Sequence, residues 1–138
     1  MRLHHTTGDH GLKGILANRC IVPKPRWLSD GTKIQAVWLS DQCDGWIRTA
    51  ASADAEATTA RITVELPDDE IISWEKWKVK LPWPAQDAFE KSAYRWKLGQ
   101  PSTWRVIERP ISSREWVQIV RIADEEVLWQ PSSERTEV

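Results

Sequence analysis

The sequence predicts a single α+β domain, with a mixed or mainly antiparallel sheet and two helices, and three observations lead there. Short runs alternate between apolar and polar residues at period two, most cleanly in Arg61-Ile62-Thr63-Val64-Glu65-Leu66, as half-buried strands do. Two other stretches carry apolar residues at helical spacing, and the order strand, helix, strand, strand, helix, strand, strand is that of an α+β chain. The length of 138 residues suits one domain, taken as 1–130 with a polar tail at 131–138.

Arg2 to Thr7 reads as a first strand, which places His4 and His5 on opposite faces and turns one of them inward. From Asp9 to Asn18 the spacing of Leu12, Ile15 and Leu16 predicts a short helix, with Thr7 or Asp9 as its cap. Cys20 to Pro23 is extended, and Pro23, Pro25 and Asp30-Gly31 mark a loop. Ile34 to Ser40 follows, with Ala36-Val37-Trp38-Leu39-Ser40 as the strongest strand of the chain. Asp41 to Thr59 shows little periodicity and reads as a surface segment with a weak helix around Ala50 to Ala57. The strand at Arg61 to Leu66 stops at Pro67-Asp68-Asp69, and Ile71 to Trp74 is a further short strand. Pro82 and Pro84 break the segment from Trp77. Pro84 then opens a second helix to Leu98, with Ala88, Phe89, Ser92 and Trp96 near one face and Gly99 as its stop. Ser102 to Glu108 and Trp116 to Ile122 complete the strands, with Pro110 between them.

Composition narrows the function. With 41% hydrophobic and 28% charged residues the chain is globular, which excludes disorder, collagen and a disulfide-stapled miniprotein. Nineteen basic against twenty acidic residues give a net charge of -1, so no global field gathers nucleic acid, while a local basic groove stays open. No run approaches the ~18 apolar residues of a membrane span, and Met1 to His5 lacks the apolar run of a signal peptide. A cytoplasmic protein without a membrane partner is expected. Cys20 and Cys43 have neither zinc nor redox spacing and read as buried free thiols. Adjacent strand residues such as His4 and His5 point apart, so no metal is expected. Ten tryptophans stand beside one phenylalanine and one tyrosine. Such large flat rings suit a small core or a stacking site, and most are assigned to the core.

The chain has no phosphate-cradling glycine loop, no His-Glu-x-x-His and no Gly-x-Ser-x-Gly. What remains is a scattered constellation at strand ends: His5 with Thr7, Trp38 with Ser40, Arg61, and Trp104-Arg105-Val106-Ile107-Glu108. Each has a plain structural reading too, with His5 an inner hydrogen-bonded histidine, Trp38 core, Arg61 an edge cation and Glu108 a solvated strand residue.

Leu3-His4-His5-Thr6-Thr7-Gly8-Asp9-His10-Gly11-Leu12, followed by Ile15-Leu16, resembles the first strand and helix of the ADP-ribosyltransferase superfamily, where a Leu-x-His-x-Thr strand leads into a helix with an Ile-Leu pair. Val37-Trp38-Leu39-Ser40 is similar to its second strand, Arg61 to Val64 is a weaker match, and Trp104 to Ile111 with Glu115-Trp116-Val117 resembles the region that carries a glutamate. The stretch from Asp41 to Gln100 carries little of the likeness, and Thr6 stands where an aromatic often follows the histidine. The resemblance implies NAD as cosubstrate and a macromolecular acceptor, protein or nucleic acid. It implies Glu108, or else Glu115, as the acid that stabilises the oxocarbenium-like centre. It further implies His5, Thr7 and Ser40 on ribose or carboxamide, Trp38 stacked on nicotinamide, and Arg61 or Arg105 on the pyrophosphate. Two other readings stand beside it. An RNA 2′-phosphotransferase-like enzyme of the same superfamily would need Arg61, Arg95, Arg105 and Arg109 to converge. A tryptophan-rich module would bind a protein partner or single-stranded nucleic acid without turnover.

Overall fold

Antiparallel pairing of short strands organises the chain. The computed structural model describes residues 1–28, 30–42, 59–96 and 101–131, the side chains of 92–96 excepted. The strands are β1 Arg2–Thr7, β2 Cys20–Ile21, β3 Lys24–Trp27, β4 Lys33–Ser40, β5 Ala60–Glu65, β6 Ile72–Ser73, β7 Trp104–Ile107, β8 Ile111–Ser112, β9 Trp116–Arg121 and β10 Val127–Trp129. The helices are α1 Asp9–Asn18, α2 Trp74–Trp77 and α3 Trp83–Trp96. Eight strands form one sheet in the order β10-β9-β5-β1-β4-β7-β6 with β3 on β4, while β2 and β8 form a separate ribbon. Every pairing is antiparallel.

The architecture is thus α+β, but with three α-helices among the described residues where the periodicity predicts two. Trp74 leaves the expected strand because the Ser73 hydroxyl accepts from the Lys76 amide at 3.4 Å, and this cap turns Trp74–Trp77 into one helical turn that buries both indoles. The proline loop is also corrected. Lys24–Trp27 is a strand paired to Lys33–Ala36, and its Pro25 is tolerated because, among the described residues, β3 pairs on one side only. Asp30-Gly31 closes this hairpin, with Gly31 at φ 90 and the Thr32 amide donating to Asp30 Oδ1 at 2.9 Å, an Asx turn. The ribbon strand β8 and the final strand β10 carry too few residues for a period to be visible in sequence. The expected weak helix at Ala50 to Ala57, Cys43, the helix stop at Gly99 and the tail 132–138 lie outside the described residues.

The two faces of the sheet bury different chemistry. One face packs Leu3, Ile62, Val64, Leu39 and Ile107 against Leu12 and Ile15 of α1 and Ile21 of β2. The other packs Trp38, Trp74, Trp77, Trp104 and Phe89 as an interlocked ring cluster, with Trp38–Trp77 edge-on at 5.3 Å and Trp74–Trp104 edge-on at 5.3 Å between centroids. Edge-to-face pairs add about 0.5–1.5 kcal/mol each beyond burial. The buried indole N–H groups need acceptors, and Glu90 takes that of Trp74 at 2.8 Å while Glu108 takes that of Trp77 at 3.2 Å.

Candidate functional site

The sheet opens a cleft where β1 parts from β4. The two strands share one register pair, His4 with Ser40, and past it the His5 imidazole occupies the gap, with Nδ1 donating to the Trp38 carbonyl at 2.9 Å. A side chain there stands in for the backbone ladder, so β4 is free to pair its first half with β3 instead. The resulting cleft encloses about 800 Å³ and is lined by β1, the first turns of α1, β3 and β4, including His5, Thr7, His10, Gly11, Lys24, Arg26 and Trp38. That volume lies in the range of small-molecule sites.

Electrostatically the cleft favours an anion. Among the described residues that line it there are Lys24, Arg26 and two histidines, and no carboxylate. Burial holds the His5 imidazole below the ordinary 6.5, against the Trp38 carbonyl that raises it, and the nearby Lys24 charge lowers it further. His5 is therefore neutral at pH 7, its proton on Nδ1 and its Nε2 an acceptor. Gly11 is small for a reason: a Cβ there would lie 2.2 Å from Thr7 Oγ1, so the Thr7 hydroxyl rests on the first turn of α1.

Of the residues singled out by sequence, His5, Thr7 and Trp38 line this cleft, but Trp38 meets His5 through its carbonyl and its indole, expected to stack on a ligand, packs in the ring cluster of the other face. Ser40, Arg61, Arg105, Glu108 and Glu115 do not line it. Alternation decides part of this. His5 pairs with Ile62 and so shares the aliphatic face, while Arg61 pairs with Thr6 and lies on the other face. Ser40 is buried, with its Oγ accepting from the Gln42 amide at 3.1 Å. Arg61 is buried too, its Nη2 donating to Glu125 at 3.0 Å. Arg105 donates to Asp41 at 2.9 Å and to the Ser102 carbonyl at 2.8 Å. Glu108 accepts from Lys80 Nζ at 2.8 Å as well as from Trp77, and the Lys80 ammonium holds it below the usual carboxylate range, with burial opposing and the Trp77 indole helping. Glu115 accepts two bonds from Arg109, at 2.9 and 2.8 Å, and one from the Ser112 amide. Arg109 is shared with Glu70. The three described arginines of the phosphotransferase reading thus sit in separate ion pairs, Arg109 in two of them, and the Arg95 side chain lies outside the described residues.

Sequence reasoning missed Lys24 and Arg26. The flanking prolines suggest a loop, and only the register with Ala36 and Ile34 reveals that Lys24 and Arg26 share one side of a strand. Topology also brings together what sequence separates: the strands carrying His5, Trp38 and Glu108's neighbour Ile107 are consecutive in the sheet, as β1, β4 and β7.

Comparison with protein-family models, with curated proteins and with solved structures gives no match. Among the described residues no helix is long and apolar enough to cross a membrane, and no group of three or more His, Cys, Asp or Glu is placed to hold a metal ion. Cys20 is a half-buried free thiol.

Proposed function

We propose that the β1–β4 cleft binds a dinucleotide of the NAD type and that the chain uses it as an ADP-ribosyl donor toward a macromolecular acceptor. The wall of the cleft carries this reading: His5, Thr7 and Trp38 stand with Lys24 and Arg26, and no carboxylate is among the described lining residues. A ligand with phosphates and ribose hydroxyls finds a complement for both. Lys24 and Arg26 meet phosphate, and Thr7 and the Nε2 of neutral His5 meet ribose hydroxyls, while the Trp38 indole is committed to the ring cluster on the other face. The pyrophosphate role thereby passes from Arg61 and Arg105, both engaged elsewhere, to Lys24 and Arg26. When bound, NAD supplies a ribosyl carbon joined to a good leaving group. Glu108 stays the proposed acid, with Glu115 as the alternative.

Binding without turnover is the second reading, and one observation favours it. Both acids are held by cations, Glu108 by Lys80 and Glu115 by Arg109, away from the described wall. One experiment separates the two. Calorimetric titration with NAD tests the cleft in wild type and His5→Ala, and labelled NAD with cell lysate tests transfer in wild type, Glu108→Gln and Glu115→Gln. Binding weakened by His5→Ala, with transfer lost in one glutamine variant, is expected. NAD binding with neither transfer nor nicotinamide release selects the binding reading, and no binding by a folded protein overturns both.

A further inference from the structure

We infer that Trp27 and Lys33, at the outer end of β3, form a stacking platform for single-stranded nucleic acid, the acceptor class for the cleft. The term acceptor rests on the proposed function; the platform does not.

Trp27 directly follows Lys24, Pro25 and Arg26, all of which line the cleft, and it is 66% exposed. Leaving an indole in water forgoes a large apolar burial, so an exposed ring beside a binding cleft asks for a ligand. Trp27 and Lys33 are register partners, and this brings the Lys33 ammonium to 5.6 Å from the centre of the Trp27 ring. A ring with a cation at its side is the unit that takes a base and its phosphate together. The acid in the adjoining turn, Asp30, is folded back onto the Thr32 amide at 2.9 Å. With a net charge of -1, attraction for a polyanion has to be local, and Lys24 and Arg26 of β3 with Lys33 of the paired strand β4 supply it within one hairpin.

Other occupants fit less well. A protein strand adding to the free edge of β3 would meet Pro23 and Pro25, which lack N–H donors, and a Pro23 carbonyl already accepting from Gln35 Nε2 at 3.0 Å. Base pairs in a duplex are stacked on one another, so their faces are closed to the indole. Trp83 is as exposed, at 70%, but its neighbours are Pro82 and Pro84, and the Lys80 charge before it is paired with Glu108.

The test is fluorescence anisotropy of a labelled single-stranded oligonucleotide, RNA and DNA in separate arms, with a duplex of the same sequence as control. Wild type, Trp27→Ala, Lys33→Glu and Trp83→Ala are compared, with NAD affinity measured by calorimetry on each. Trp27→Ala is expected to weaken single-strand binding roughly 5- to 150-fold, Lys33→Glu to weaken it and reduce its salt dependence, and Trp83→Ala to leave it unchanged, while NAD affinity is kept throughout. Equal binding of duplex, an equal loss in Trp83→Ala, or no effect of Trp27→Ala overturns the platform. A Trp27-dependent self-association in sedimentation without oligonucleotide binding does so as well, assigning the surface to a second copy. If instead NAD fails to bind while Trp27→Ala still releases the oligonucleotide, the cleft reading falls and the platform stands.

Discussion

Gly11→Ala tests the geometry of the cleft at its most closely packed point. The new Cβ would lie 2.2 Å from Thr7 Oγ1, and the next atom it meets, Thr7 Cβ, is at 3.6 Å. The conflict is therefore with one hydroxyl on a rotatable bond, and no backbone stands in the way. Turning Thr7 aside costs about 0.5–1.5 kcal/mol if it leaves a staggered rotamer, while alanine in place of glycine within a helix returns about 0.8–1 kcal/mol. Global stability should change by less than about 1 kcal/mol. The loss falls on the cleft, because the Thr7 hydroxyl no longer faces a ligand. A neutral hydrogen bond of about 0.5–1.5 kcal/mol corresponds to NAD affinity weakened roughly 2- to 13-fold. Urea denaturation and NAD calorimetry on Gly11→Ala, Thr7→Ala and the double variant complete a cycle in which the double variant should be more stable than additivity predicts. A destabilisation above about 3 kcal/mol in Gly11→Ala, well beyond a rotamer change, that Thr7→Ala does not relieve would refute the contact. Unchanged NAD affinity in both single variants would remove Thr7 from the binding wall.

Trp74→Ala should cost about 3–5 kcal/mol in urea denaturation, since Trp74 is 1% exposed and its loss also strips Glu90 of an indole donor; a cost below about 1 kcal/mol would mean the rings are not packed as described. Glu90, Glu108 and Glu115 all lie below the ordinary 4.5, lowered first by the Trp74 indole, the Lys80 ammonium and the Arg109 guanidinium respectively. Their stabilisation is complete above 4.5 and is lost as pH falls through the lower folded values, so the urea midpoint should drop as pH falls below 4.5. Glu115→Gln should flatten that drop more than Glu108→Gln, because the Glu115 side chain is 21% exposed and that of Glu108 42%; a flat wild-type profile would contradict the pairing. His5, lowered from 6.5 chiefly by burial, favours the fold when neutral and loses that contribution as pH falls below 6.5. Its imidazole NMR titration should show a midpoint under 6.5 with the proton on Nδ1, and a midpoint above it would disprove the buried contact with Trp38.

Much of the strand content was legible because burial on a sheet face writes a period of two. Arg61 to Leu66 is legible that way and Ile34 to Ser40 as a continuous apolar run, and both strands lie inside the sheet. Period two also separated His4 from His5 correctly, since one bonds Thr63 on one face and the other Trp38 at the strand gap. It failed at Lys24–Trp27, where proline masks an edge strand, and at Trp74, where a serine cap overrides a strand-like run. Glu108 shows a different limit. Sequence marks it as an acid at a strand end, but its partners Lys80 and Trp77 come from a helical turn whose position no local pattern encodes.

By itself, then, the amino-acid order determined much of which segments extend or coil, because that property depends on neighbours a few positions away. Which residues meet was decided only by the tertiary structure. His5 and Lys24 share a cleft because β1 leaves β4 after a single register pair, whereas Arg61 and Glu108 are drawn into ion pairs by groups distant in the chain. Register and ion pairing are long-range choices, made by the burial of two sheet faces at once.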